Sequence, residues 1–328
     1  MAQSKKTNIA LIGYGYWGKK LFKYLRNNEA LHLSSVFFPS LKNHNPDRIK
    51  KDFGSEFTTD ISTIWNNDYI KNVVIATPIN THFDIVECAL SNNKNVLVEK
   101  PLTINYKDTS ELAKIANDKN LILETEYTYT YSKALRQAKD IIDAGTIGSL
   151  KSISINLKQL GRFLPYDVYL LLGSHALSIL DIFAPLNTLT FNSKHMMKTN
   201  SVVTGALIHF FSEESGITGK IDLSLHCPER NKTLLLFGEK GTITYNPEVD
   251  QSLKICLYEN TPSDQTNELV LKYDSHSYDE RNNLQYAIEN FYLLLQGKKE
   301  CNINRSLDIN KVLDSLRLTP SSLGIKKQ

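Results

Sequence analysis

Strong charge of either sign is missing from this sequence. Across 328 residues the formal net charge at pH 7 is only +3, and no block of like charges occurs. Nucleic acid and anionic membrane surfaces attract basic patches, so neither is predicted as a partner. Apolar residues make up 41% of the chain, yet no apolar stretch has the length that a membrane-spanning helix requires. The composition is that of a globular protein.

Cysteine is also scarce. The four cysteines, Cys88, Cys227, Cys256 and Cys301, have neither metal-site nor redox-motif spacing. We therefore expect reduced thiols and no metal site. The first six residues lead directly into an apolar strand and leave no room for a signal peptide, so a cytoplasmic protein is expected.

Three of the 15 glycines, in contrast, lie close together near the start of the chain. An apolar run from Asn8 to Ile12 leads into Gly13-Tyr14-Gly15-Tyr16-Trp17-Gly18, a G-x-G-x-x-G loop. In such loops the first glycine makes the tight turn, the second admits a pyrophosphate and the third lets the following helix pack closely. The loop predicts a dinucleotide site that includes Tyr16 and Trp17. The 3.6-residue spacing of Trp17, Leu21, Phe22 and Leu25 predicts that they share the buried face of the following helix. The alternative is a glycine-rich turn without a ligand.

Hydrophobic periodicity divides the chain into two domains. Up to about residue 125, short apolar runs at 7–13, 32–38, 72–76, 95–98 and 121–124 alternate with helical patterns, which is typical of a parallel sheet covered by helices. After Leu150 longer alternating runs predict mostly antiparallel strands, and a helix is expected over 279–296. The predicted fold is α/β: an N-terminal Rossmann doubly wound sheet in residues 1–125, then an α/β domain with a large, mostly antiparallel sheet in 126–328.

The carboxylate that binds the ribose of NAD is absent. It should lie about 20 residues beyond the glycine loop, but Phe37-Phe38-Pro39-Ser40 occupies that region. Ser40, with Lys42 and Arg48 beyond it, could instead accept a 2′-phosphate. This favours NADP slightly over NAD, although the two cations could equally be plain surface charges.

Two further segments follow predicted strands, where ligands of doubly wound sheets bind. Thr77 and Pro78 end one strand, and His82 begins the next helix as either a cofactor contact or a structural residue. Another apolar strand ends in Glu99-Lys100-Pro101. Lys100 there is suited to be a general acid or base, because burial and a nearby nicotinamide cation would lower its pKa. Pro101 permits a cis peptide bond. The alternative for Lys100 is a surface pair with Glu99.

His175 lies in an otherwise apolar run, followed by Ile179, Leu180 and Phe183 on a helix that is predicted to be buried. A histidine in such a setting is more often a core residue than a catalyst.

These segments, read in order, resemble one family. The glycine loop, ATPINTH, VLVEKPL and GSHALSILDIF are similar in sequence and order to the glucose–fructose oxidoreductase/inositol dehydrogenase (Gfo/Idh/MocA) family. Leu160-Gly161-Arg162-Phe163 resembles a segment of the branch that acts on nucleotide sugars. The resemblance implies that Lys100 and His175 face a sugar substrate beside the nicotinamide and that Glu99 contributes to the cofactor site. Arg162 could bind a substrate carboxylate or phosphate through bidentate hydrogen bonds, or it could form a surface salt bridge.

The sequence departs from the family at one position. Many members carry an aspartate four residues before the histidine, where this chain has Leu171. Family members that reduce keto-sugars can use a tyrosine as acid, so Tyr166 or Tyr169 could substitute, as could Asp167. Tyr127, Tyr129 and Tyr131 alternate at strand spacing, which predicts one shared face; Tyr131 is included among the candidate substrate contacts.

We therefore expect an NAD(P)-dependent oxidoreductase that moves hydride to or from a sugar carbon, on a nucleotide-linked sugar of polysaccharide biosynthesis. Reduction of a ring double bond is a variant of the same chemistry. The alternative is a catalytically impaired homologue that binds a nucleotide or sugar and acts as a regulatory or assembly partner. Because a large sheet face needs cover, a homodimer or homotetramer is expected.

Overall fold

The structure is a computed structural model that describes residues 6–39, 57–161, 165–248, 252–260, 269–278 and 283–318. These residues form two compact units. The first runs to Tyr127 and also takes in residues from 283 to Asn310, which the sequence pattern grouped with the second domain. The second runs from Thr128 to residue 278 and resumes at Lys311.

The first unit is built on six parallel strands in the order β3-β2-β1-β4-β5-β6. Successive strands move outward from β1 first in one direction and then, from β4, in the other. Ligands of doubly wound sheets bind at this reversal, outside the carboxyl ends of the strands. The strands are β1 (Thr7–Ile12), β2 (Leu31–Phe37), β3 (Phe57–Thr58), β4 (Asn72–Ile75), β5 (Asn95–Glu99) and β6 (Leu123–Glu126).

Helices cover both faces of this sheet and confirm the predicted Rossmann architecture. One apolar layer joins the sheet to α1 and α7, and the other joins it to α3 and α4. The helices of the unit are α1 (Tyr16–Arg26), α2 (Ser62–Trp65), α3 (His82–Ser91), α4 (Tyr106–Asp118), α7 (Asn283–Leu295) and α8 (Ile303–Leu318), and the division between the units falls within α8. For the helix predicted over 279–296, residues 279–282 lie outside the described part of the chain.

Two details of this unit differ from the sequence prediction. Trp17 was expected on the buried face of α1, but it is 42% exposed and Gly18 takes the buried position. Residues 18, 21, 22 and 25 fit the i, i+3, i+4, i+7 pattern, which Trp17 does not. Strand β6 begins at Leu123 because the Leu121 N–H donates to the carbonyl of Ala116, in the last turn of α4.

The second unit contains an eight-stranded sheet in the order β14-β13-β12-β11-β7-β10-β9-β8. All neighbours are antiparallel except β7 and β10, which confirms the predicted mostly antiparallel sheet. Its strands are β7 (Leu150–Leu160), β8 (Thr190–Thr199), β9 (Val202–Phe211), β10 (Thr218–Ser224), β11 (His226–Gly238), β12 (Gly241–Asn246), β13 (Ser252–Asn260) and β14 (Leu269–Ser277).

The buried face of this sheet carries Ile153, Ile155 and Leu157 of β7, and the other face carries mostly polar residues between them. Among its described residues the unit contains the helices α5 (Lys133–Asp143) and α6 (Ser174–Phe183) and the end of α8. Helix α5 is capped by the Ser132 hydroxyl, which accepts from the Leu135 N–H at 3.1 Å. The chain leaves α5 through Gly145, whose φ of +72° is the left-handed conformation expected of a glycine in that position.

The three alternating tyrosines do not form a strand. Residues Thr128–Tyr131 form a 3-10 turn directly after β6. Such a turn has three residues per turn, so side chains two positions apart point in different directions. The prediction of one shared tyrosine face was therefore wrong.

Candidate active site

The glycine loop joins β1 to α1 and has the geometry of a phosphate-binding turn. Gly13 has a φ of +100°, and a Cβ there would lie 2.6 Å from the carbonyl oxygen of Ala76. A Cβ on Gly18 would lie 2.2 Å from the carbonyl oxygen of Gly13. At Gly15, in contrast, a Cβ would meet nothing within 4 Å. The first and third glycines are thus required by the fold, and the second faces open space.

The amino terminus of α1 is suited to an anion. Gly15 supplies no side-chain cap, and the first turn contains no acidic residue that would neutralise the positive end of the helix dipole. Tyr16 and Trp17 are 57% and 42% exposed, and the Lys20 Nζ lies 4.5 Å and 4.3 Å from their ring centroids. An exposed cation and two aromatic rings therefore stand beside the open end of the loop. These features fit a dinucleotide pyrophosphate.

The chain after β4 passes against this loop. The methyl carbon of Thr77 would lie 2.9 Å from a Cβ on Gly13, and the Thr77 hydroxyl accepts from the Thr81 hydroxyl at 2.8 Å. Pro78 is exposed and precedes a short 3-10 turn, Ile79–Thr81. Thr77 and Pro78 therefore lie at the carboxyl edge of the sheet, as predicted.

His82 is a structural link between two of these loops. The ring is 1% exposed, with Nδ1 3.1 Å from the Pro101 carbonyl oxygen and Nε2 2.9 Å from that of Thr77. Burial lowers the pKa of His82, and a neutral imidazole carries one N–H, so it donates to one of these carbonyls at a time. His82 thus ties the loop after β4 to the segment after Lys100, and of the two alternatives the structure favours the structural one.

Strand β5 ends in the predicted Glu99-Lys100-Pro101 segment, and the Lys100–Pro101 peptide bond is cis. Lys100 is half-buried and Glu99 is 7% exposed. Burial lowers the pKa of Lys100 to about 8, although the carboxylates of Glu99 and Glu126 act in the opposite direction. Burial also raises the pKa of Glu99, against the influence of Lys100 and, from α1, of Lys20. Lys100 is thus placed to exchange a proton near neutral pH.

The loop that follows Pro101 is anchored by Asn310 of α8. The Asn310 Nδ2 donates to the Thr103 carbonyl and hydroxyl oxygens at 3.2 and 3.1 Å and to the Thr109 hydroxyl at 2.5 Å. Asn310, Thr103 and Thr109 are all buried. This network fixes the backbone directly beyond the catalytic candidate Lys100, and the sequence analysis did not find it.

Sequence reasoning also missed Glu126. Strand β6 has the sequence Leu-Glu-Thr-Glu, and Glu124 and Glu126 are only 8% and 2% exposed. Glu126 pairs with Glu99 in the parallel register of β5 and β6, so both carboxylates lie at the same edge of the sheet, next to Lys100. The sequence did contain a signal for Glu126, namely two acidic residues in a short strand that packs against the core.

In the second unit, His175 is the second residue of α6, which follows a π-helical turn, Tyr169–Gly173. Its half-buried ring contacts that of Tyr129 edge to face, with 5.3 Å between the centroids. Burial lowers the pKa of Lys232, but the Tyr129 hydroxyl and the Glu248 carboxylate more than offset it, so that pKa is raised. Tyr129 thus contacts His175 and acts electrostatically on Lys232. Sequence spacing alone had not paired Tyr129 with His175.

Two of the residues considered as replacements for the missing acid have structural partners. Asp167 accepts from Arg317 Nε at 2.7 Å and from the Leu170 N–H at 3.0 Å. Tyr169 is fully buried with its ring 5.7 Å from that of His195, and burial raises the pKa of its hydroxyl. Leu171 itself is half-buried.

The remaining candidates are spread along the chain. Tyr131 is 4% exposed and Tyr166 is half-buried, both in the second unit. Ser40 and Arg162 lie outside the described residues, as do Lys42, Arg48 and Phe163. In the described part of the chain, no group of three His, Cys, Asp or Glu side chains is placed to hold a metal ion. No described helix combines the length and the apolar character needed to cross a membrane.

Comparison with known proteins agrees with the site. Residues 7–127 match the oxidoreductase family with an NAD-binding Rossmann fold, Gfo/Idh/MocA. This match agrees, for the first unit, with the resemblance seen in the sequence.

This chain spans less than half of the length of the curated relatives that it matches. An uncharacterized oxidoreductase from Streptococcus pneumoniae is 26% identical over 140 residues, which cover 43% of this chain and 37% of that protein. A 2,7-anhydro-N-acetylneuraminate hydratase from Mediterraneibacter gnavus is 26% identical over 146 residues, 44% of this chain and 38% of that protein.

Solved structures show that the fold is shared over nearly the whole chain. KijD10, a 3-ketoreductase from Actinomadura kijaniata in complex with TDP-benzene and NADP, superposes with a TM-score of 0.81 at 17% identity, covering 95% of this chain and 97% of that chain. GenD2 from gentamicin A biosynthesis, in complex with NAD, also gives a TM-score of 0.81, at 18% identity and with coverage of 98% and 95%.

Proposed function

We propose that this protein is an NAD(P)-dependent oxidoreductase that moves hydride to or from a sugar carbon. The observation that carries the proposal is Lys100: a half-buried amine with a lowered pKa, in the same unit as an open phosphate-binding turn that belongs to an NAD-binding family. An alcohol or ketone that exchanges hydride needs such a group to exchange the proton of its oxygen.

Each residue of the candidate site has a separate role in this proposal. Gly13, Gly15 and Gly18 hold the pyrophosphate at the start of α1, and Glu99 contributes to the cofactor site. When bound, a nicotinamide cofactor supplies or accepts the hydride. Lys100 donates a proton to, or removes it from, the sugar oxygen, and His175 orients that oxygen. The first unit thus binds the cofactor and the second the substrate.

A nucleotide-linked sugar of polysaccharide biosynthesis is the substrate we propose. Support comes from the segment around Arg162, which resembles the nucleotide-sugar branch of the family, and from a structural neighbour solved with TDP-benzene. Arg162 would bind the diphosphate through its planar, bidentate guanidinium. Tyr166 and Tyr131 are further proposed substrate contacts. The scattered cysteines support a cytoplasmic location.

Cofactor binding tests the proposal first. Purified protein is titrated separately with NADPH and NADH, and their fluorescence is followed. The absence of a carboxylate after β2 and the presence of Ser40, Lys42 and Arg48 predict tighter binding of NADPH. Binding of either cofactor leads to a turnover screen of nucleotide-linked keto-sugars, with Lys100→Ala as the control that retains binding and loses turnover. If the folded protein binds neither cofactor, the proposed NAD(P)-dependent activity is wrong and the non-catalytic partner is favoured.

A non-catalytic binding partner is the competing function. Leu171 favours it, because this position carries no carboxylate and Asp167 is bonded to Arg317. The same screen separates the two: tight cofactor and sugar binding with no turnover in either direction would identify the binding protein.

We also propose that the protein is a homodimer or homotetramer. Support comes from the outer face of the second unit's sheet, where Phe211 and Phe237 are 43% and 36% exposed. They lie in one cross-strand row with Ser152 and Thr218, because the register pairs Phe237 with Ser152, Ser152 with Thr218 and Thr218 with Phe211. Exposed apolar residues on a broad sheet are typical of an interface.

A further inference from the structure

Glu126 is a buried carboxylate at the carboxyl end of β6. Its side chain is 2% exposed at the end of β6, directly beside Glu99 across the parallel ladder. The two preceding residues of the strand have partners elsewhere in the unit. Glu124 accepts from the Cys301 thiol at 3.3 Å, and Thr125 accepts from the Ser306 hydroxyl at 2.8 Å.

A charge buried this deeply is costly unless an opposite charge lies near it. Glu126 and Glu99 are both acidic, so their adjacency alone would be unfavourable. Lys100 directly follows Glu99 and interacts electrostatically with both carboxylates. Lys20 of α1 adds a second cation that acts on Glu99. Lys100 is thus close to two carboxylates. Glu99 belongs to the Glu99-Lys100-Pro101 motif, and Glu126 does not.

We infer that Glu126 is a positioning residue that keeps Lys100 protonated and oriented for proton transfer, and so supplies a carboxylate in a chain that has Leu171 in place of the family's aspartate. This inference rests on the proposed function. In the reducing direction a bound reduced nicotinamide would supply the hydride for the new C–H bond at the carbonyl carbon, whose C–O π bond breaks. The Lys100 ammonium gives its proton to that oxygen and becomes a neutral amine, which water then reprotonates.

The inference has a direct consequence for the amine. A carboxylate near a lysine favours its charged form, so removing the Glu126 charge should lower the pKa of Lys100 by about one unit. The amine would then be neutral over more of the physiological pH range. Reduction would weaken above neutral pH, because fewer molecules would hold the proton that the substrate needs.

The test is Glu126→Gln, with Glu124→Gln as the matched control. Glu124 is also a buried glutamate of β6, but it contacts Cys301 and has no proposed catalytic part. Lys100 acetylation by acetic anhydride is quantified by mass spectrometry between pH 6 and 10, with no substrate present. We expect the midpoint for Lys100 to move to lower pH by about one unit in Glu126→Gln and to stay unchanged in Glu124→Gln. An unchanged midpoint in a folded Glu126→Gln variant, checked by circular dichroism, would overturn the inference.

Turnover provides the second readout. If the wild type reduces a keto-sugar, Glu126→Gln should lose about tenfold in kcat above neutral pH with little change in KM, and Glu126→Asp should recover part of it. Should Glu126→Gln fail to fold, Glu126→Asp takes its place in the labelling experiment, where a smaller shift in the same direction is expected. If Glu126→Gln shifts the midpoint but the wild type turns over no sugar, the result supports the pairing of Glu126 with Lys100 and counts against the proposed function. Equal kcat profiles for Glu126→Gln and wild type would contradict the positioning role.

Discussion

At Lys100, burial and two neighbouring carboxylates act on one pKa in opposite directions. Burial dominates and lowers that pKa to about 8, while Glu99 and Glu126 limit the decrease. The residue therefore has a useful fraction of both protonation states near neutral pH, which an exposed lysine lacks. Such tuning is typical of general acids and bases.

The pH dependence of catalysis follows from this shift. In the reducing direction the ammonium is the donor, so kcat should fall as the pH rises through about 8. In the oxidising direction the neutral amine is the acceptor, so kcat should rise over the same range. The measurement is kcat against pH in both directions with saturating cofactor. Profiles that bend in the same sense in both directions would exclude Lys100 as the proton-transfer group.

At the scale of elements, the turn between β1 and α1 shows how one sequence motif divides between folding and binding. Gly18 lies against the Gly13 carbonyl, whereas Gly15 borders open space. Both are glycines of the same motif, yet only one is required by the protein's own packing. Since Gly15 packs against nothing in the protein, its lack of a side chain matters only for ligand binding.

Alanine substitution should separate these two roles. Gly18→Ala places a methyl group 2.2 Å from a backbone oxygen that cannot move freely, so we expect the free energy of unfolding to fall by about 1–3 kcal/mol. Gly15→Ala should leave stability nearly unchanged and weaken NADPH binding. Urea unfolding and fluorescence titration measure the two effects. Equal destabilisation by both variants would refute the division.

The contact between α8 and the loop after Pro101 makes a separate prediction. Asn310→Ala removes the donor that Thr103 and Thr109 share, which should lower the free energy of unfolding by about 1–3 kcal/mol. Asn304→Ala, an exposed asparagine two turns earlier on the same helix, is the matched control and should change little. Thermal melts of the two variants provide the comparison. A melting temperature unaffected by Asn310→Ala would show that the network does not stabilise the loop.

At the scale of the whole molecule, each unit has a different kind of sheet. The parallel sheet of the first unit is covered on both faces, as parallel sheets require. The mostly antiparallel sheet of the second unit buries Ile153, Ile155 and Leu157 on one face and leaves the other to polar residues and exposed phenylalanines. That outer face is where self-association is proposed.

Charge on this face should dissociate an oligomer. Phe237→Asp places a carboxylate at the proposed interface, so the mass measured by light scattering after size exclusion should fall to that of one chain. Tyr69→Asp, at an 80% exposed position of the first unit, is the control and should leave the mass unchanged. If Phe237→Asp retains the wild-type mass, the interface lies elsewhere.

Much of the first unit was predictable because its signals are local. The strand before Gly13, the 3.6-residue pattern of α1 and the apolar run before Glu99 each depend on neighbouring residues, and each predicted element is present. The prediction for Trp17 was wrong because the buried face of α1 has room for four positions, and Gly18 occupies one of them with Leu21, Phe22 and Leu25. The prediction of one shared face for the tyrosines at 127–131 was wrong because alternation in so short a segment is compatible with both a strand and a 3-10 turn.

By itself, the sequence determined the Rossmann order of the first unit, the phosphate-binding turn and Lys100 at the end of β5, since glycine conformation and hydrophobic periodicity are local properties. Tertiary structure alone decided that Glu126 lies beside Glu99, that Asn310 anchors the loop after Pro101, and that Tyr129 contacts His175. These contacts join residues whose separation along the chain gives no periodic signal. They form only when strand register and helix packing bring distant segments together.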